Sequence, residues 1–329
     1  MDTTERPTID KWSLVAPELK PVLESFPKLT LDEKTLGKMQ AATRQFTPPP
    51  PPRTAEQAAV VRTERMIPGP PGAPEVRVLV YTPARPATAP RPVYLYLHGG
   101  GYVGGAPESG DTPCRAAAGD LDCVAFSVDY RLAPQTRFPG AVEDAYAALA
   151  WIRAEAKALG VDSERIAIGG ASAGGGHAAA LALYARDHGE TRIRLQVLEA
   201  PMIDDRTGAN GQRHPFNGRY TWTEKANQFG WRALLGVEPG GAEVPRGSVP
   251  ARVENLRGLP PAFILVGALD LFLDENLEYA RRLIHAGVPT EVHVIPGAFH
   301  GFSTIGPATP QAQELMRLRR EALKRAFEA

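Results

Sequence analysis

Residues 165 to 186 read RIAIGGASAGGGHAAALALYAR. A short branched-apolar run, Arg165 to Ile168, stops at two glycines. From Gly174 to Arg186 the chain turns rich in alanine and leucine, the composition of a helix. Between the two stands Gly170-Ala171-Ser172-Ala173-Gly174, a G-x-S-x-G turn from strand to helix. Such a turn holds its serine in strained backbone with the hydroxyl projecting beyond the sheet. It needs small neighbours because backbone crowds it from both sides. The helix that follows brings free N–H groups and a positive dipole end beside Ser172, where a negative charge would develop. Taken alone, the stretch also suits a loop that only packs a helix onto a sheet, or one that binds a phosphate.

Working outward, strand-like segments lie near Val60 to Ile67, Glu75 to Tyr81, Val93 to Leu97, Cys123 to Val128, Leu195 to Leu198, Ala262 to Val266 and Glu291 to Ile295. With Arg165 to Ile168 they make eight. From the third onward they alternate with helical stretches, among them Val142 to Leu159, Gly174 to Arg186, Glu275 to Ala286 and Gln311 to Phe327. Strand and helix in alternation imply a mostly parallel sheet flanked by helices on both faces. With the serine turn, the fold expected is the α/β-hydrolase fold carrying a helical cap.

The first 46 residues are patterned differently. Leu31, Thr35, Met39 and Ala42 recur at helical spacing before five prolines, Pro48 to Pro52, form a stiff connector. A second departure begins at Met202, in a long stretch between two strands. It holds Phe216, Tyr220, Trp222, Phe229 and Trp231 and looks helical near Trp222 to Leu235. Long insertions of this kind are usually lids. The expected division is therefore a cap segment over 1–46, a catalytic domain over 47–201 and 255–329, and a cap insertion over 202–254.

Composition narrows the function classes. Hydrophobic residues make up 43% and charged residues 22%, the balance of an ordinary globular protein. No apolar run approaches a membrane span of about 20 residues, and the N-terminus lacks the pattern of a secretory signal, so the expected location is cytoplasmic. Zero formal net charge, evenly scattered, gives no footprint for nucleic acid or an anionic membrane and suits a small neutral substrate. Cys114 and Cys123 fit neither a metal-ligand spacing nor a disulfide scaffold, and no metal or cofactor is called for. A homodimer is compatible with the sequence.

A second motif bears on Ser172. His98-Gly99-Gly100-Gly101 directly follows the third strand, and consecutive glycines let a loop present N–H groups already aimed at an acyl oxygen. Gly100, Gly101 and Ala173 are the expected oxyanion donors. His98, upstream and inside the loop, is read as structural. Chain order places the general base after an acid that itself follows Ser172. His285 falls in a helix and His293 in a strand, whereas His300 lies in a glycine-flanked loop beyond the last strand, where open α/β sheets bind ligands. His300 is therefore the expected base. Two carboxylates compete for the acid: Asp270 after the seventh strand and Asp274, which reads as a helix N-cap. Asp129 and Arg131 are expected to form a structural ion pair beneath the glycine loop, and Glu199 either faces the site or satisfies an arginine.

These segments, with Asp129-Tyr130-Arg131-Leu132-Ala133-Pro134 and Gly297-Ala298-Phe299-His300-Gly301-Phe302, resemble the hormone-sensitive lipase-like family of bacterial esterases, from about Val60 to the C-terminus. The resemblance implies hydrolysis of carboxylic esters, usually short in the acyl chain, beneath a cap, with Asp270 as the triad acid. Ala171, where many members carry an acidic residue, and Gln135, where a glutamate often follows, depart from the usual pattern. Candidates for the substrate pocket are Tyr102, Tyr220, Trp222, Phe229, Leu271 and Phe302. An amidase, lactonase or deacetylase would use the same triad, and a non-catalytic small-molecule receptor is the alternative of another class.

Overall fold

A computed structural model describes residues 10–26, 31–45, 51–189, 192–209 and 215–329. Eight strands form one sheet: β1 (Val61–Ile67), β2 (Val76–Thr82), β3 (Arg91–Leu97), β4 (Val124–Asp129), β5 (Val161–Ala171), β6 (Ile193–Glu199), β7 (Ala262–Gly267) and β8 (Thr290–Ile295). Their spatial order is β1-β2-β4-β3-β5-β6-β7-β8. The β1–β2 and β2–β4 pairs are antiparallel and every other pair is parallel. All eight strands read from the sequence are present. Central β5 runs longer than its apolar core: β3 pairs with it at Val161 and again from Ile166, with a register shift that passes over polar Asp162 to Glu164, and β6 pairs with it from Ile166.

Helices are α1 (Lys20–Ser25), α2 (Leu36–Gln45), α3 (Ala55–Ala59), α4 (Asp111–Leu121), α5 (Gly140–Ala154), α6 (Ala156–Leu159), α7 (Ala173–His188), α8 (Glu224–Leu235), α9 (Leu273–His285), α10 (Phe302–Ile305) and α11 (Pro310–Glu328). The stretch expected as one helix from Val142 is two, α5 and α6, broken at Glu155. Helix α4 was hidden from periodicity by Pro113 and Gly119; its proline is tolerated because it stands in the first turn.

Alternation along the strands sorts the core into two layers. Val93, Leu95 and Leu97 of β3, Val124, Phe126 and Val128 of β4, and Ile166 and Ile168 of β5 pack with α5, α7 and α9. Tyr94, Tyr96, Ala125 and Ala167 point the other way, toward α4, α11 and the N-terminal residues Val15 and Leu19. Each fully buried leucine, isoleucine or phenylalanine contributes about 1.5–3 kcal/mol.

A third apolar cluster sits beyond the strands' C-terminal ends. Tyr102, Val103, Ala173, Met202, Leu271 and Phe272 from the loops that leave the sheet meet Leu31, Ala226, Trp231, Leu234 and Leu235. The N-terminal segment and the stretch after β6 are thus joined to the same end of the sheet by one core. Pro48–Pro50 of the proline run lie outside the described residues. Among the described residues, no helix is long and apolar enough to cross a membrane.

Candidate active site

Ser172 lies where β5 gives way to α7, with φ 57° and ψ −123°, a conformation costly for a residue with a side chain. Its neighbours hold it there. The Ser172 N–H donates to the carbonyl of Glu199 at 2.8 Å, and the Ser172 carbonyl accepts from the N–H groups of Gly176 and Met202, each at 3.0 Å. The flanking glycines are required by space: a Cβ on Gly170 would stand 2.4 Å from the Gly174 carbonyl, and one on Gly174 would stand 2.1 Å from the carbonyl oxygen of Leu97.

Three loops leaving β5, β7 and β8 bring a serine, a histidine and a carboxylate into one line. His300 Nε2 is 2.8 Å from Ser172 Oγ, and His300 Nδ1 is 2.8 Å from Asp270 Oδ2. An ionised carboxylate only accepts, so Nδ1 carries the proton and Nε2 is free to accept from the serine hydroxyl. Asp270 is buried, and its other oxygen accepts from the Phe272 N–H at 2.9 Å, which locks the carboxylate toward the imidazole. Of the two carboxylates left open by the sequence, Asp270 contacts the histidine. Asp274 is in the first turn of α9 and does not cap it: the N-cap position belongs to Phe272, and Asp270 accepts that residue's N–H instead.

The glycine loop packs directly against the elbow, since a Cβ on Gly99 would come within 3.0 Å of the Ala171 carbonyl oxygen and 3.4 Å of Ser172 Cβ. Gly100 (φ 137°) and Gly101 (φ 60°) turn the loop back on itself, and among the described residues their N–H groups have no protein acceptor. Ala173 opens α7, so its N–H has no partner within the helix. His98 Nδ1 is 2.8 Å from the Gly99 carbonyl, and its ring stacks on Tyr130 with centroids 4.2 Å apart. The Tyr130 hydroxyl donates to the His98 carbonyl at 2.6 Å. Burial pulls the His98 imidazole down to about 4 and that of His177 to about 3, so both stay neutral supports.

The six pocket candidates separate. Trp222 lies edge-on against Gly101, close enough that a Cβ there would be 2.2 Å from the indole, and its ring centre is 6.2 Å from that of His300. Its indole N–H donates to Asn227 at 3.3 Å. Next to it, the Thr221 hydroxyl donates to the His300 carbonyl. Leu271 is buried beside Gly218, and Phe229 packs on the cluster beyond the strand ends. Tyr220 bonds the Lys11 carbonyl at 2.7 Å with its ring 5.9 Å from Phe299. Tyr102 is buried in packing, its hydroxyl 2.5 Å from the Met202 carbonyl and its ring against His177 and Trp231; Phe302 is buried in the core layer that holds Val15, Leu19 and Phe299.

Two expectations are corrected or resolved here, and two residues were missed. Asp129 and Arg131 do not pair. Arg131 reaches Asp144 at 2.8 Å, and Asp129 lies near Arg77 at 3.5 Å and Arg44 at 3.7 Å; β4 ends at Asp129, and Asp144 of α5 holds Arg131 by its backbone as well, accepting its N–H at 2.9 Å. The Glu199 carboxylate accepts from Arg319 at 3.2 Å and from Ser303, so it ties β6 to α10 and α11, while its backbone carbonyl supports the elbow. Phe272, packed edge-on to His300 at 4.9 Å between centroids, was not singled out; its place two residues after the acid was the available signal. Glu275, also missed, is buried and accepts from the N–H groups of Ile203 and Asp204, and burial pushes its carboxyl well above the usual range. Among the described residues, no group of three or more His, Cys, Asp or Glu is placed to hold a metal ion.

A cleft of about 710 Å³ opens at the far end of the sheet, where β3, β4 and β5 begin, and a second of about 490 Å³ lies where β6, β7 and β8 begin. Ser172, His300 and Asp270 all follow the opposite ends of their strands, where open α/β sheets bind ligands, so neither cleft belongs to this chemistry.

Comparison with known proteins gives the family. A protein-family profile described as alpha/beta hydrolase fold matches residues 94–304. The chain is 33% identical to the esterase LipI of Mycobacterium tuberculosis, over 93% of each chain. It is 37% identical to an ethyl acetate hydrolase of Pseudomonas putida over 70% of this chain and 72% of that one. Among solved structures, a bacterial heroin esterase superposes with a TM-score of 0.85 at 34% identity, covering 97% of this chain and 100% of the other. With the motifs read from the sequence, these matches mean that the chain belongs to the α/β-hydrolase family, in its hormone-sensitive lipase-like branch.

Proposed function

We propose that this protein, a carboxylic ester hydrolase, acts on short-chain esters through an acyl-enzyme on Ser172. The observation that carries the reading is the continuous line Asp270–His300–Ser172, 2.8 Å at each contact. His300 takes the serine proton as Oγ attacks the ester carbonyl, and Asp270 stabilises the imidazolium that forms. The N–H groups of Gly100, Gly101 and Ala173 receive the oxyanion. His300 then protonates the departing alcohol and deprotonates the water that releases the acid. Trp222 against Gly101 leaves little room beside that oxygen, which supports a short acyl group. The N-terminal 46 residues and the stretch 202–254 serve as the cap, a reading supported by their joint packing with Tyr102, Leu271 and Phe272.

Ser172→Ala should remove essentially all turnover of p-nitrophenyl acetate with the fold unchanged. Residual kcat above a few per cent of wild type would overturn the assignment. A series from acetate to decanoate checks the chain length, with kcat/KM expected to fall beyond butyrate.

We also read the protein as a cytoplasmic homodimer. The unpaired, buried Cys114 and Cys123 suit a reducing compartment. Val292 and Val294 are exposed on edge strand β8, the kind of edge a second copy would cover. Light scattering and cell fractionation test these two statements.

A further inference from the structure

Five of the seven residues from Gly99 to Gly105 are glycines, so this loop has few side chains of its own with which to fix its shape. Yet an oxyanion hole works only if its donors are aimed before charge develops. Part of the loop's order is internal. The Gly100 carbonyl accepts from the N–H groups of Val103 at 3.2 Å and Gly104 at 2.9 Å, folding residues 103–105 back behind Gly99–Gly101. Gly105, with φ 97°, lies so close to the first glycine and to His98 that a Cβ would be 2.2 Å from the Gly99 oxygen and 2.4 Å from the His98 ring.

The outward-facing groups of this turn are held by one helix from the far N-terminus. The Gly105 N–H donates to Thr43 Oγ1 at 3.0 Å, and Gln40 Nε2 donates to the Val103 carbonyl at 2.9 Å. Met39 and Thr43 close over Gly104, where a Cβ would stand 2.8 Å from the methionine sulfur and 3.0 Å from the threonine oxygen. All three side chains project from one face of α2, at positions 39, 40 and 43. Helix α2 itself begins at a reciprocal turn in which the Thr35 N–H donates to Asp32 at 2.9 Å and the Asp32 N–H to Thr35 at 3.0 Å.

We infer that Thr43 is a positioning residue for the oxyanion hole: its hydroxyl oxygen, by accepting the Gly105 N–H, holds the turn that aims the N–H groups of Gly100 and Gly101. The inference rests on the proposed function, because it assigns those two groups the task of receiving the oxyanion. Helix α2 is then a working part of the catalytic apparatus, in addition to covering it. Substrate in its ground state gains little from the bond; the tetrahedral intermediate, whose charge the loop must meet, gains more.

The test uses the full-length protein carrying Thr43→Val, which keeps the shape and removes the acceptor, beside Thr43→Ser, which restores it. For p-nitrophenyl acetate, Thr43→Val should lower kcat about three- to tenfold with KM within about twofold, and Thr43→Ser should stay within about twofold of wild type. Inhibition by an aryl trifluoromethyl ketone, which adds to the serine as a tetrahedral anion, should weaken by the same factor as kcat/KM falls. Equal losses in both variants, or a loss in kcat/KM with unchanged ketone inhibition, would mean that the bond serves folding alone and would overturn the inference. So would Thr43→Val at wild-type rate while Ser172→Ala is inactive, an outcome that leaves the proposed function standing. Activity surviving Ser172→Ala would instead remove the proposed function and the inference with it.

Discussion

The turn that carries Ser172 and the glycine loop face each other across one site, but they are supported from different distances along the chain. The bonds to the Ser172 backbone come from Glu199, Gly176 and Met202, the ends of an adjacent strand and the first turn of its own helix. The turn behind Gly100 and Gly101 is held by Gln40 and Thr43, about sixty residues upstream, on a helix with no fully buried residue. A strained serine can be kept in place by a rigid sheet; a flexible loop has to borrow side chains from elsewhere. Elements with little buried area also open at lower free energy, so the loop side of the site should be the one that responds to changes in the cap.

The sharpest way to probe the elbow side is through the acid. Asp270→Asn should reduce kcat by ~10⁴, because the wrong tautomer of His300 is then favoured, whereas Asp274→Asn should remain within about threefold of wild type. The reverse order of damage in steady-state kinetics would make Asp274 the acid and dissolve the line of three residues.

On the loop side, removal of residues 1–46 takes away Met39, Gln40 and Thr43 together. It should lower kcat by about ten- to a hundredfold, more than Thr43→Val alone, and expose the apolar cluster around Val103 and Trp231. Dye binding reports the exposure. If kcat is retained and KM alone changes, the segment shapes the pocket without bracing the loop, and the two sides of the site do not differ in how they are supported.

A smaller effect comes from the contact between the two sides. His98 stacks on Tyr130, Tyr130 packs edge-on to His177, and His177 belongs to the helix that follows Ser172. In the folded protein these imidazoles protonate only at about pH 4 and about pH 3, against about 6.5 in an unfolded chain. Between about pH 6.5 and about pH 4 the unfolded chain binds more protons, so stability is lost as pH falls through that window. The thermal midpoint should therefore drop from about pH 7.5 to about pH 4.5, and His177→Phe should drop less than wild type. Identical slopes would remove His177 from the account.

The class of the fold and the principal candidates were legible along the chain. Strand periodicity, the G-x-S-x-G turn and the order of Ser172, Asp270 and His300 are local or ordinal properties, written in residues that must be small, apolar or titratable wherever the chain carries them. What the sequence left open were choices between neighbours and between distant partners. Asp270 against Asp274 depended on which carboxylate reaches His300. The partner of Arg131 was Asp144 rather than Asp129, and Glu199 was answered by Arg319, more than a hundred residues away. Of the aromatic residues scattered through the chain, Trp222 and Phe272 came to rest beside His300 while Tyr102 was packed into the core. Tertiary structure decided these because hydrogen bonds and ring contacts act over a few ångströms of space, and the distance along the chain carries almost no record of that.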